Sequence, residues 1–290
     1  MSAETALVEG PARRRAVRAT PMGWVIWGVV IFFFVNLAGV VFSVLVSSFG
    51  KRWFDTWLPD GFTTNWYGDA WREFTLLHVI LVTLLVSGLV VILSVLIGAP
   101  AAYVLARKSF PGKRLVFLTF LLPILMPPIT YGIPLATVLY KFGFAGHLSG
   151  VVLANLVPSV PFVILTMTPF IEQVDPRIED AARMLGAGTR AVFLRILAPL
   201  LVPGILASAI LVLVRTVGMF ELTFLTAGPD SQTLVVALYY SMSAAGIRAQ
   251  QSVDAMAVIY TAMMLVLLVV ALRFVNPTQL VARVKEEPSE

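Results

Sequence analysis

Residues 172–199 read EQVDPRIEDAARMLGAGTRAVFLRILAP, a charged stretch set between two long apolar runs at 148–171 and 200–226. Asp175 can accept from the free amides at a helix start, and Pro176 is preset for the first helical position. Glu179 and Asp180 then fall near the positive end of the helix dipole. The helix so opened is expected to run to about Leu185. Gly186 supplies a left-handed stop, Thr189 can cap a second helix, and Pro199 ends that helix as the chain turns apolar again. The segment therefore reads as helix, glycine turn, helix, and it is much longer than a tight connection between neighbouring helices needs.

Outward from this loop, the chain is 59% hydrophobic and 13% charged, with a mean hydropathy of +0.90. That is more apolar material than one soluble core can use, so the bilayer is its solvent. A helix of roughly 20 apolar residues crosses a hydrocarbon layer about 30 Å thick. Six segments qualify: about 23–48, 75–105, 115–133, 148–171, 200–226 and 253–274. The fold class is all-α, a polytopic membrane protein with six transmembrane helices forming one domain over residues 22–275. No internal repeat divides it.

Lys and Arg resist translocation and collect in short cytoplasmic segments. Arg13, Arg14, Arg15 and Arg18 precede the first span, and Arg107, Lys108, Lys113 and Arg114 join the second to the third. Arg177, Arg183, Arg190 and Arg195 lie in the loop quoted above, and Arg273, Arg283 and Lys285 follow the last span. The opposite side holds only Lys51, Arg52, Arg72, Lys141 and Arg248. Both termini and the 172–199 loop are thus expected in the cytoplasm. The tail 1–21 is expected to be disordered, and residues 276–290 form a second cytoplasmic tail. The run after the first tail is too long for a signal-peptide core and lacks its cleavage pattern, so it is read as a retained span.

Net charge is +5 with a pI near 9.7, but no basic stretch carries interleaved aromatics, which argues against nucleic acid and for loops facing anionic lipid. Cysteine is absent, and His78 and His147 are far apart, which excludes thiolate chemistry and makes a metal site improbable. Four of the six tryptophans, Trp53, Trp57, Trp66 and Trp71, crowd residues 49–74. Their rings suit the headgroup level, so this outer segment lies along the membrane surface or docks an external partner.

Spans three and four carry Pro123, Pro127, Pro128, Pro134, Pro158, Pro161 and Pro169. Proline deletes an intrahelical bond and kinks the backbone, which suits a translocation path and equally suits plain packing. Arg215 and Glu221 lie in the expected fifth span, where a central charge costs about 2.5–3.5 kcal/mol and calls for a partner or water. Six residues apart, they point about 120° from each other on an ideal helix, so separate partners are expected. Glu221 could meet a cationic solute or bond a companion subunit, while Arg215 reads as structural first. Asn155 and Tyr239 join them as candidates for the path. Asn36, Tyr240 and Asp254 are of the kind that more often hold helices together. No Ser/His/Asp set or carboxylate pair marks an enzyme.

The loop's spacing, Asp180-Ala181-Ala182, three residues, Gly186, nine residues, Ile196-Leu197-Ala198-Pro199, resembles the EAA loop of permeases in binding-protein-dependent ABC importers. Asp180 stands for the usual Glu and Ala198 for the usual Leu. The resemblance covers roughly residues 75–275 and implies a type I ABC importer permease fold in a bacterial inner membrane. It also implies that 172–199 forms a coupling helix docking into an ATPase, with Glu179, Asp180, Ala181, Ala182, Arg183 and Gly186 as its docking residues. Glu179, Asp180 and Arg183 would form the rim and the two alanines the close contact. The implied partners are an ATP-binding cassette ATPase dimer, a second permease subunit identical or homologous to this one, and a solute-binding protein. The chain has no phosphate-cradling G-x-x-x-x-G-K-[ST] loop, so ATP and Mg would belong to the ATPase and this chain would bind no cofactor. Leu185-Gly186-Ala187 and Phe220-Glu221-Leu222-Thr223 are similar to the polyamine, ferric-ion, thiamine and phosphonate group, which leans the substrate toward a polyamine or a related small polar solute, with a sugar as runner-up. A self-sufficient secondary transporter is the rival class, and it has no use for the loop.

Overall fold

The computed structural model describes residues 21–51, 53, 59–243 and 249–273; the expected tails, apart from Pro21, lie outside them. Among the described residues the structure is helical, with a lone bridge between Gly50 and Phe62 and no strand. In chain order the helices are α1 (Pro21–Phe49), α2 (Asn65–Glu73), α3 (Leu76–Arg107), α4 (Lys113–Leu125), α5 (Pro128–Lys141) and α6 (Leu148–Glu172). They continue with α7 (Pro176–Met184), α8 (Thr189–Leu200), α9 (Val202–Val217), α10 (Glu221–Thr226), α11 (Leu234–Ser243) and α12 (Gln250–Arg273).

Four helices, α1, α3, α6 and α12, are each long and apolar enough to cross a membrane. Two bent pairs, α4 with α5 at 100° and α8 with α9 at 74°, supply a broken span each, which makes six. The breaks move two expected boundaries. Expected span 115–133 is interrupted at Met126 and Pro127, both held in extended backbone, because consecutive Pro127 and Pro128 offer no amide and force their predecessors out of the helical region. The helix resumes at Pro128 and runs on to Lys141. Expected span 200–226 is divided as well: α9 stops at Val217, Met219 bonds back to the Thr216 carbonyl, and α10 starts at Glu221. Pro199 does not end the second loop helix. α8 passes through it to Leu200 after widening to π turns over Val192–Leu197, and the bend follows at Leu201. By contrast Pro158, Pro161 and Pro169 stay inside a continuous α6.

The most extensive helix pairing is α3 against α6. Gly98 permits it: a Cβ there would stand 2.8 Å from the Val163 side chain and 3.2 Å from the Val160 carbonyl oxygen. Around this seam lies the largest core, with Val86, Val90, Tyr103, Ile164, Met167 and Ile171 joined by Ala182 and Val192 from the 172–199 loop. A second cluster sets Ala70, Phe74 and Leu76 against Leu234, Val253 and Met256, under α2.

Polar side chains pin the end of the molecule away from the 172–199 loop. Thr83 donates to the Val79 carbonyl and accepts from the Leu234 amide at 2.8 Å, fixing the start of α11, a helix too short to read as a span. Trp66 donates to the Gly50 carbonyl at 2.7 Å and Ser48 bonds Tyr67, so this part of the tryptophan-rich segment is tied to the end of α1. Ser47 donates to Asp254 at 2.5 Å, joining α1 to α12, which is the helix-bonding role expected of Asp254.

Gly98→Ala is expected to force α3 and α6 apart and to destabilise the protein by about 1–3 kcal/mol, as overpacking does. Thermal unfolding of the purified protein in detergent should show a lowered midpoint, while Gly88→Ala, where nothing lies within 4 Å of a Cβ, should leave it in place.

Candidate functional site

The loop after α6 folds as its sequence dictates. Asp175 accepts from the Arg177 amide at 2.9 Å, Pro176 opens α7, and Gly186 takes φ +87°. Its amide and that of Ala187 close the helix on the Arg183 and Ala182 carbonyls at 2.9 and 3.0 Å. The next helix begins differently from expectation. Gly188, in extended backbone, occupies the cap position, and Thr189 is already helical with no capping bond from its side chain.

Glu179 departs most from its expected place at a docking rim. It is 2% exposed and turned inward. One carboxylate oxygen accepts from Arg107 Nε at 2.7 Å; the other accepts from the Tyr103 hydroxyl at 2.8 Å and from Arg183 Nη2 at 3.2 Å. Arg107 also donates to the Val174 carbonyl, at the turn between α6 and α7. Arg183 reaches the Tyr103 hydroxyl at 3.1 Å and Asp180 at 3.3 Å, and the Tyr103 ring meets Phe193 of α8 edge-on at 5.5 Å. A buried carboxylate is tolerated only with charged and hydrogen-bonded partners, and this one has both. Arg107 is the last residue of α3, where a cation also suits the helix dipole.

Ala182 is a second correction. It packs into the core beside α3 and α6 instead of facing outward, because α7 is amphipathic and positions 179 and 182 share its inner side. The outer side carries Arg177, Ile178, Asp180 and Ala181, and the helix ends on Met184 and Leu185, which are 89% and 90% exposed. Arg183 sits between the two sides. Sequence reasoning passed over the exposed Met184 and Leu185, and it counted Arg107 only as a loop charge. The i, i+4 spacing of Tyr103 and Arg107 at the end of a span was the available signal for the inner pair.

Within the membrane-spanning part, the four remaining candidates separate. Arg215 lies over the Phe162 ring at 5.5 Å, and among the described residues it forms no salt bridge with Glu221, which belongs to another helix. The buried Tyr131 hydroxyl has no hydrogen-bond partner among the described residues. Asn155 is buried, donating to the Val151 carbonyl at 2.9 Å and to Thr223 at 3.2 Å, which ties α6 to α10. Tyr239 joins Phe220, Phe224 and Tyr240 in an aromatic cluster with centroids 4.9–6.0 Å apart, and both tyrosines are partly open.

Residues 94–277, which contain the loop and every site just described, match the model of the family "Binding-protein-dependent transport system inner membrane component". The chain belongs to that family. It is a multi-pass inner-membrane permease of the ABC importer type, and a self-sufficient secondary transporter is set aside. The permease is 35% identical over 176 residues to the molybdenum transport system permease protein ModB of Escherichia coli K12, covering 55% of this chain and 77% of that one. It is 32% identical over 169 residues to the probable sulfate transport system permease protein cysT of Chlorokybus atmophyticus, covering 53% and 59%. Its fold is that of a chain in a bacterial ABC transporter involved in the import of the acidic polysaccharide alginate, with a TM-score of 0.68 at 15% identity over 88% of this chain and 96% of the other. None of these is named for a polyamine, so the lean drawn from Leu185-Gly186-Ala187 and Phe220–Thr223 is not supported; the names are molybdenum, sulfate and alginate, and permeases named for diacetylchitobiose and trehalose match as well.

Arg107→Met is expected to leave Glu179 buried without its main cation and to cost about 3–5 kcal/mol, whereas the double change Arg107→Met, Glu179→Met should cost less than the single one. Denaturation of the purified permease in detergent, run as a double-mutant cycle, reads both.

Proposed function

We propose that this permease forms, with a second identical or homologous permease, a translocation path for a tetrahedral oxyanion such as molybdate or sulfate, and that its 172–199 loop docks an ATPase dimer. The observation that carries the docking reading is the end of α7: Met184 and Leu185 are almost fully exposed on a loop flanked by charged residues. Apolar side chains presented in this way, with Ile178 and Ala181 behind them and Arg177 and Asp180 at the rim, suit an apolar-centred, polar-rimmed contact. Docking therefore uses Asp180, Ala181 and the outer tip, Gly186 shapes that tip, and Glu179 and Ala182 hold it from inside. ATP and Mg are used by the ATPase, a solute-binding protein delivers the solute at the outer face, and both termini lie in the cytoplasm, as the distribution of Lys and Arg supports.

Arg215, Glu221, Asn155 and Tyr239 are the path candidates, with Asn155 acting through its hold on Thr223. For the solute, the relatives named for molybdenum and sulfate support an oxyanion, those named for diacetylchitobiose and trehalose support a sugar, and the intramembrane Arg215, with no carboxylate partner among the described residues, tips the reading to the oxyanion. The aromatic cluster around Tyr239 favours a sugar as the second reading, since flat rings stack on sugar faces.

Uptake of labelled molybdate, sulfate, a disaccharide and spermidine should be compared in cells with and without this chain. Loss of oxyanion uptake alone is the expected result; loss of spermidine or disaccharide uptake alone would overturn the oxyanion assignment. Leu185→Asp is expected to keep the permease inserted yet abolish co-purification of an ATPase in mild detergent, and unchanged co-purification would count against the docking surface.

A further inference from the structure

We infer that Glu179 is a positioning residue whose buried charge makes the docking loop, α3 and α6 one rigid body, so that a displacement of α7 is delivered to these two helices rather than to α4, α5 or α9. The inference deepens the ATPase-docking reading and rests on it for its functional consequence. Both carboxylate oxygens are used. Arg107 and Tyr103 hold them from α3, Arg183 holds them from α7 itself, and Arg107 reaches across to the Val174 carbonyl at the end of α6. Four structural pieces, the α3 end, the α6–α7 turn, α7 and, through the Tyr103–Phe193 ring contact, α8, thus meet at one side chain.

Rigidity continues into the membrane. α3 and α6 form the most extensive pairing in the molecule and are closed on each other at Gly98, and both are continuous helices. The two spans that are not continuous are jointed: α4 and α5 meet at 100°, and α8 and α9 at 74° with a π stretch before the bend. A push on α7 meets stiff material along α3–α6 and bends along the other two. Asp180, the acid at the motif position, is exposed and bonded only to Arg183 among its recorded partners, so it cannot serve as this anchor.

The chain has no cysteine, so Lys108→Cys and Arg177→Cys, both exposed, can carry a unique nitroxide pair across the clamp. Dipolar EPR should give one narrow distance in the otherwise native protein and a broadened or split distribution in Glu179→Gln. Tyr103→Phe, which keeps the ring and removes one bond, should broaden it less. In membranes holding the permease and its ATPase, Glu179→Gln should raise the ATP hydrolysed per solute taken up about tenfold, within the range of a coupling free energy between sites, while hydrolysis itself stays within about twofold. Equal distance distributions in the native and Glu179→Gln proteins, or uptake and hydrolysis falling in the same proportion, would overturn the inference. Failure of the native permease to recruit any ATPase would overturn the docking reading, while the EPR comparison, which needs no ATPase, still decides the clamp.

Discussion

The contact between α3 and α6 is the constraint on which the remainder is built. Hydrocarbon gives two apolar helices no solvent-driven reason to associate, so close approach and dispersion must hold them, and this needs a small residue at the crossing. Gly98 is that residue. Once the two helices are closed on each other, their shared face collects the largest core, and their ends nearest the 172–199 loop stand close enough for Tyr103, Arg107 and Val174 to surround Glu179.

The two ends of this pair are treated differently by physics. At the end away from the 172–199 loop, neutral bonds such as Thr83 to the Leu234 amide and Trp66 to the Gly50 carbonyl tie short, irregular pieces to long helices. At the loop end the tie is ionic. A carboxylate removed from water loses its hydration and recovers it only through Arg107, Arg183 and Tyr103, so the tie is stiff when complete and costly when any partner is lost. A neutral pair could be traded for an apolar one without changing how the loop moves; a saturated carboxylate sets both the position and the angle of α7.

The aromatic and charged groups around α10 follow from broken helices. Gly218 and the turn to Thr216 end α9, which frees α10 to carry Glu221, Phe224 and Thr223 at its own angle. Arg215 stays behind on α9 over Phe162, so the two intramembrane charges sit on separate helices and form no salt bridge among the described residues. Such groups persist in a bilayer where a second subunit or water can complete them.

The sequence by itself determined the all-α membrane class, the apolar spans with their Lys and Arg bias, and the helix–glycine–helix of 172–199, because each follows from local rules: run length, charge position, and the capping chemistry of Asp175, Pro176 and Gly186. It missed the break at Met126–Pro127 and the division between Val217 and Glu221, since one proline in α6 is absorbed while another pair snaps a helix, and neighbours decide which. It missed α11, whose 10 residues are too few to read as a span. Most of all, it set Glu179 and Ala182 on the docking face, where motif spacing alone puts all small and charged residues together. Only the tertiary structure decided which side of α7 faces inward, because that depends on Tyr103 and Arg107, more than 70 residues away in sequence, and their i, i+4 spacing marks them as a pair without showing which acid they meet.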